Sequence, residues 1–423
     1  MMDSSAPSAS KRHALAPAGR SPWSDLHSEL LVSIAAIDGV SLRDYTCLRA
    51  VCTAWRSSLA PLSFPCLLSL AESHDSHSVS VFSLPIRRSF HVHTGSSVVV
   101  DSQTSFYGRV RVVGSGNGRF AIAIDKEPRS NPSSFVSSST RRIFLIDPRA
   151  GKEVQLVSQT GDQKSVRKIV FAPNPNPSPP SHTDDWTAVA LYDRNNRVAY
   201  IDTGSSSSST EDKTWTTIDV AEGNCYHDMA FHAGDDKVYF LDTSGAVDVL
   251  RMPRGGEPAL IEPFATLMQD PSPTAAYAPP YDVVYPKMVT KHIFFCHGSL
   301  YQVWKNTCAA INLASGSFRI SANEIFVLRC DPGRWPCWDA VKDLGGCSVF
   351  LGKSSSPVVV RPAAPELRAD CVYWIDWRGI PMVCDIATGA SQPWVLSYGT
   401  FKGDCWYFSH DDTTSIDDRE GRN

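Results

Sequence analysis

One hairpin recurs along this chain, and few folds can absorb such repetition. Phe144-Leu145-Ile146-Asp147, Tyr239-Phe240-Leu241-Asp242 and Tyr373-Trp374-Ile375-Asp376 each end an aromatic and aliphatic run in aspartate. A short turn containing glycine follows each, and then a second apolar run. Ala199-Tyr200-Ile201-Asp202 is a looser copy whose turn passes into a serine run. An aspartate at a strand end can accept bonds from the turn amides. Repetition of such a unit across residues 63–408 points to a radial or solenoid architecture. Antiparallel units of about forty residues or more close naturally into a β-propeller. An open stack would leave hydrophobic edges exposed. The spacing is irregular and leaves six or seven blades open.

The N-terminal segment has a different texture. Leu26, Leu30, Ile34 and Ile37 fall at helical spacing, as do Tyr45, Leu48, Cys52 and Trp55. Ser24 and Ser41 are placed as N-caps, with Asp44 three residues after Ser41. Two or three short helices are expected, on too little chain to bury a core alone. Their apolar excess suggests docking onto a partner. The pattern Leu26, Glu29, Leu30, Leu31, Ile34, Asp44, Leu48, Arg49, Ala50, Val51, Cys52, Trp55 and Arg56 resembles an F-box, the adaptor-binding module of cullin-type ubiquitin ligases. His27 stands where that module usually carries proline.

A second resemblance covers most of residues 63–408. Val113-Gly114-Ser115 leading to Gly118-Arg119-Phe120, and Ile146-Asp147-Pro148 leading to Gly151, are two of its motifs. Asp228-Met229-Ala230-Phe231 with Tyr239, Asp242 and Gly245 is a third. Leu344 to Gly352, Cys371 to Trp374 and Val383 to Gly389 complete the order. Together they resemble the domain of unknown function that follows F-boxes in a large plant family. The resemblance implies a kelch-like propeller. The expected fold is α+β and multidomain: short all-α helices, then an all-β propeller. The boundaries are a disordered leader 1–22, an F-box 23–62, a propeller-like domain 63–410 and a disordered acidic tail 411–423. Pro173–Asp185, Ser130–Thr140, Ser205–Ser209 and the Pro- and Ala-rich Pro263–Pro286 are expected as mobile surface insertions.

Composition excludes several classes. A net charge of −4 gives no basic field for nucleic acid. No apolar run approaches a membrane span. The twelve cysteines include no C-x-x-C pair, so spacing gives no zinc signature, and a reducing nuclear or cytoplasmic setting is expected. Cys225-Tyr226-His227-Asp228 reads as a blade-edge turn rather than a nucleophile pair. His91 and His93, with His74 and His77 upstream, lack a third metal ligand. Gly114, Gly116 and Gly118 lack the helix a nucleotide loop needs. No catalytic residue, metal or cofactor is implied.

The resemblances imply a substrate-recognition subunit of a cullin-type (SCF) ubiquitin ligase, itself not an enzyme. Leu26, Leu30, Leu31, Ile34, Leu48, Val51, Cys52 and Trp55 would meet a Skp-type adaptor, and through it a cullin. Of the tryptophans crowding the C-terminal third, most are expected in the core. Trp335 and Trp377, in turn-like contexts, are the candidates to bind a target protein. The alternative is an adaptor-independent propeller scaffold, which His27 favours.

Overall fold

The computed structural model describes residues 22–37, 40–60, 65–72, 77–84, 86–92, 108–126, 141–157, 166–173, 186–192, 197–202, 215–218, 220, 225–243, 245–252, 258–264, 276–307, 309–312, 319–352, 354–362, 367–394 and 403–408. The expected leader (save Pro22), the tail, the serine-rich runs, His74 and His93 lie outside them. The chain divides into two compact units, residues 1–40 with 44–61, and residues 41–43 with 62–423.

The first unit is helical. A 3₁₀ turn Pro22–Asp25 leads to α1 (Ser28–Ala35), and α2 (Leu42–Ala50) and α3 (Thr53–Ser58) follow. Ser24 does not cap α1. It sits inside the 3₁₀ turn, and the N-cap position falls to His27, which makes no side-chain cap bond. Cys52 caps α3, its sulfur accepting from Trp55 N at 3.4 Å. Leu31, Ala35, Tyr45 and Leu59 are buried. Tyr45 Oη donates to Ala60 O at 2.8 Å, and Trp55 Nε1 donates to Trp23 O at 2.9 Å.

The second unit is a six-bladed β-propeller. Blade 2 shows the unit: Gly108–Gly116, Arg119–Lys126, Arg141–Asp147 and Lys152–Val157 pair antiparallel in chain order. Blades 3, 4 and 5 open with Val166–Pro173, Tyr226–His232 and Thr290–Cys296. These opening strands contact one another in that order around the ring. Blade 1 is completed from both ends of the chain, since Cys405–Tyr407 pairs antiparallel with Cys66–Glu72. Blade 6 departs from the repeat. Its strands Ser348–Leu351 and Cys371–Ile375 run parallel, with Val358–Val360 added on the inner side.

The turn aspartates behave as their position predicts. Asp147 Oδ1 accepts from Arg149 N and Ala150 N at 3.1 and 3.0 Å. Asp242 Oδ1 accepts from Ala246 N at 2.8 Å, and Asp376 Oδ1 from Arg378 N and Ile380 N at 2.8 and 2.7 Å. Each bond satisfies amides that no ladder reaches.

Hydrophobic wedges fill the gaps between blades. Phe350, Tyr373 and Trp406 join blade 6 to blade 1, and Tyr277, Trp304 and Trp338 lie in the wedge between blades 4 and 5. One sequence expectation needs correction, and one turn is shorter than the spread of its glycines. Within Pro263–Pro286, the part from 276 onward is not a surface insertion: Tyr277, Val284 and Tyr285 are buried in the second of these wedges. Prolines set the backbone there, but the aromatic residues between them decide burial. The turn of blade 2 is also shorter than Gly114–Gly118. The strand continues through Gly116, and Asn117-Gly118, with φ of 51° and 73°, make a two-residue turn. Gly114 has a different reason, because a Cβ there would overlap the Ile169 carbonyl of blade 3.

Candidate functional site

Two surfaces stand out, one in each unit. On the helical unit, apolar side chains face solvent. Leu30 and Val51 are 56% and 57% exposed and Ile34 is 39% exposed. Trp23, Val32 and Ile37 are exposed too. Of the eight residues assigned to adaptor binding, these three are exposed, and Leu26, Leu48, Cys52 and Trp55 are half-buried. Leu31 is buried, and so belongs to the unit's own core.

On the propeller, a cavity of about 470 Å³ opens where the inner strands of blades 3, 4 and 5 begin. The third residue of each strand supplies its floor: Lys168, Asp228 and His292. In blades 3 and 4 a β-bulge falls just before that residue, and a bulge re-aims the side chain that follows it. Lys168 Nζ lies 2.6 Å from Asp228 Oδ1, with both side chains buried. Ile293 N donates to Asp228 Oδ2 at 3.1 Å, and His292 Nδ1 lies 3.4 Å from that oxygen. Burial alone would raise the Asp228 pKa; Lys168 and His292 more than offset it and hold the carboxyl well below the usual range. Burial keeps His292 below its ordinary value and therefore neutral at pH 7.

The walls are cationic and aromatic. Lys291 Nζ sits 3.4 Å above the Tyr285 ring, and Lys305 Nζ 3.8 Å above the Trp374 ring. Arg167 Nη1 donates to Tyr226 O at 3.1 Å, and Nη2 lies 3.4 Å from His227 Nδ1. Burial lowers Lys291 to about 8. Burial, helped by the charges of Lys291 and Arg167, lowers His227 to about 4. Among the lining residues Arg167, Lys168, Lys291 and Lys305 face one carboxylate, which leaves three positive charges in excess. A chain of net charge −4 thus concentrates positive potential at one end of its central channel.

Trp377, 77% exposed, lines this mouth, whereas Trp335, 43% exposed, does not. Trp335 lies between the strands Ile325–Cys330 and Trp338–Ala340 of blade 5. Cys225-Tyr226-His227-Asp228 leads into the innermost strand of blade 4, which is the channel-side edge of that blade's sheet. There Tyr226 Oη donates to Asp248 Oδ2 at 2.6 Å, and Cys225 is exposed. His91 is exposed on its strand, and the His77 side chain falls outside the description. Lys168, Lys291, His292 and Lys305 escaped notice in the sequence. The signal for Lys168, Lys291 and His292 is a pair of polar residues near the start of an otherwise apolar strand, repeated in successive blades; Lys305, last in Ser299–Lys305, shows none.

Residues 82–420 match the model of the KIB1-4 beta-propeller family, and the chain belongs to that family. No curated protein matches it. Among solved structures, it is similar to a putative 6-phosphogluconolactonase of Bacteroides fragilis, at 11% identity and a TM-score of 0.31, over 82% of this chain and 98% of that one. The beta-propeller domain of Cps50 (Swd1) from Myceliophteria thermophila gives 10% and 0.31, over 79% and 97%. The major allergen Mala s 1 of Malassezia sympodialis gives 10% and 0.31, over 81% and 88%. None of these likenesses bears on activity.

Proposed function

We propose that this member of the KIB1-4 beta-propeller family is the substrate-recognition subunit of a cullin-type ubiquitin ligase. The helical unit docks a Skp-type adaptor, and the propeller mouth holds a segment of the target protein. The observation that carries the reading is the exposed set Leu30, Ile34 and Val51 on a unit whose own core is small. Side chains of this kind left in water favour a partner face. The mouth, with its three excess cations and Trp377 at the rim, suits an acidic target segment. Ubiquitin transfer then belongs to the associated subunits and conjugating enzyme, and this chain acts by binding, in the nucleus or cytoplasm.

Leu30→Asp and Val51→Asp test the reading better than Trp55→Ala, because Trp55 also holds Trp23. Each places a carboxylate where the adaptor face would be desolvated, at a cost of several kcal/mol to binding. Recovery of the adaptor in pull-down should fall below about a tenth of wild type, with circular dichroism unchanged. Undiminished recovery from the folded variants sinks the ligase reading. Wild-type chain that binds target but never adaptor would establish the scaffold alternative, which His27 favours.

A further inference from the structure

At the other end of the inner strands, three metal-ligating side chains converge. Cys296 ends the opening strand of blade 5, His297 begins the turn after it, and Cys347 immediately precedes the strand Ser348–Leu351 of blade 6. One ligand atom from each lies within 4.8 Å of the other two. Cys347 Sγ is 3.3 Å from His297 Nε2. Around a tetrahedral ion about 2.3 Å from sulfur and 2.0 Å from nitrogen, ligand atoms stand roughly 3.5–3.8 Å apart. The cluster is therefore already near the spacing that one ion imposes. Both cysteines are buried, and neither is in a disulfide.

The backbone is shaped to hold this arrangement. His297 and Gly298, with φ of 49° and 66°, make the two-residue turn between Thr290–Cys296 and Ser299–Lys305, which fixes His297 beside Cys296. Facing it, Gly345 and Gly346 have φ of 65° and 80°. A Cβ on Gly345 would stand 3.2 Å from His297 Nε2, so glycine leaves room for the imidazole. Asp370 pins the loop: its Oδ1 accepts from Leu344 N and Gly346 N at 2.7 and 3.0 Å, and its own N donates to Cys347 O at 2.8 Å. Such outer contacts are what keep ligand atoms in place.

Cys296 and His297 also line a cavity of about 150 Å³, room enough for water. We propose that Cys296, His297 and Cys347 bind one zinc ion, with water from this cavity as the fourth ligand. Two thiolates and an imidazole suit a borderline-soft d¹⁰ ion and not magnesium or calcium. Binding releases the thiol protons to solvent. The ion would tie blade 5 to blade 6 at the place where the repeat is most irregular.

The test uses the full chain, purified without chelator and desalted. Elemental analysis should give about one zinc per chain. Cobalt(II) added to the metal-free protein should develop thiolate-to-metal absorption in the near ultraviolet. His297→Ala and Cys347→Ser should each weaken zinc binding at least about tenfold. Cys225→Ser, at an exposed cysteine that leads into the inner strand of blade 4, should keep it. Chelation should lower the thermal midpoint of wild type and leave that of Cys347→Ser unmoved. Zinc well below one per chain, metal content indifferent to both ligand variants, or a Cys296–Cys347 disulfide in the purified protein would each overturn the proposal. If a variant fails to fold, the cobalt titration of refolded wild type still decides, since absence of thiolate absorption refutes the site.

Discussion

Ring closure rests on a short C-terminal strand, and Trp406 is the place to test it. Its indole is buried, packs edge-on against Phe350 at 5.0 Å between ring centroids, and donates from Nε1 to Leu351 O at 3.0 Å. Trp406→Ala removes that packing, for about 3–5 kcal/mol. It also strands a buried carbonyl, for roughly 1–3 kcal/mol more. The loss, about 4–8 kcal/mol, is comparable to the whole stability of an ordinary domain, about 5–15 kcal/mol. Trp377→Ala is the control: with its side chain 77% exposed, it should stay within about 0.5 kcal/mol of wild type. Chemical denaturation followed by near-ultraviolet circular dichroism gives both values. Deleting residues 403–423 carries the same argument further, because the strand Cys405–Tyr407 that pairs with Cys66–Leu68 is lost. That chain should aggregate, whereas a solenoid would lose only its end unit. A Trp406→Ala loss below about 1 kcal/mol, or a soluble monomer ending at residue 402, would refute closure through this strand.

Other expectations follow from single contacts. Lys168→Met leaves the buried Asp228 carboxylate without its closest cation and should cost about 3–5 kcal/mol, most of it regained in Lys168→Met/Asp228→Leu; equal losses in single and double variants would refute the pairing. Wild-type stability should fall on acidification. His227, lowered to about 4, favours the fold fully above pH 6.5 and loses that contribution between about pH 6.5 and 4, and Asp228, also lowered, loses its own below about pH 4; flat denaturation midpoints from pH 7 to 4 would contradict this. His27→Pro should leave the helical unit folded and adaptor binding maintained or stronger, because His27 φ is −60°, a value proline adopts; calorimetric titration showing a large loss would mean that the imidazole makes a contact of its own. Gly245→Ala should destabilise by about 1–3 kcal/mol in thermal unfolding, since φ is +92° and the new methyl would overlap the Tyr277 hydroxyl; an unchanged midpoint would refute the close approach.

The blades were legible because local chemistry fixes them. Alternating apolar runs and a turn aspartate need no distant partner to be read, and Asp147, Asp242 and Asp376 make the turn bonds their positions imply. The parallel pair in blade 6 was not legible. Ser348–Leu351 and Cys371–Ile375 have the same texture as any hairpin strands, and only the detour through Val358–Val360 between them makes parallel pairing possible. Buried Tyr277 and Tyr285 were hidden for a different reason: proline and alanine around them resemble a linker, while two aromatic rings stacked at 4.6 Å supply the core contact.

The adaptor face was legible from helical spacing, but the propeller mouth and the Cys296, His297 and Cys347 cluster were not, because their members come from different blades. A propeller brings together residues that share a position within the repeat, not residues that are near in sequence. Lys168, Asp228 and His292 are each third in the opening strand of successive blades, so the ring gathers them into one cavity. Each follows a polar neighbour, Arg167, His227 or Lys291, near the start of an otherwise apolar strand, a pattern that burial would forbid unless a partner arrives from the next blade. Cys347 reaches Cys296 and His297 across the junction of blades 5 and 6 from a different point of the repeat, with no spacing that a ligand motif would show. The polar exceptions in inner strands are therefore where a chain of this fold carries its chemistry. Aligning the blades to one another by strand position, rather than reading along the chain, is what exposes them.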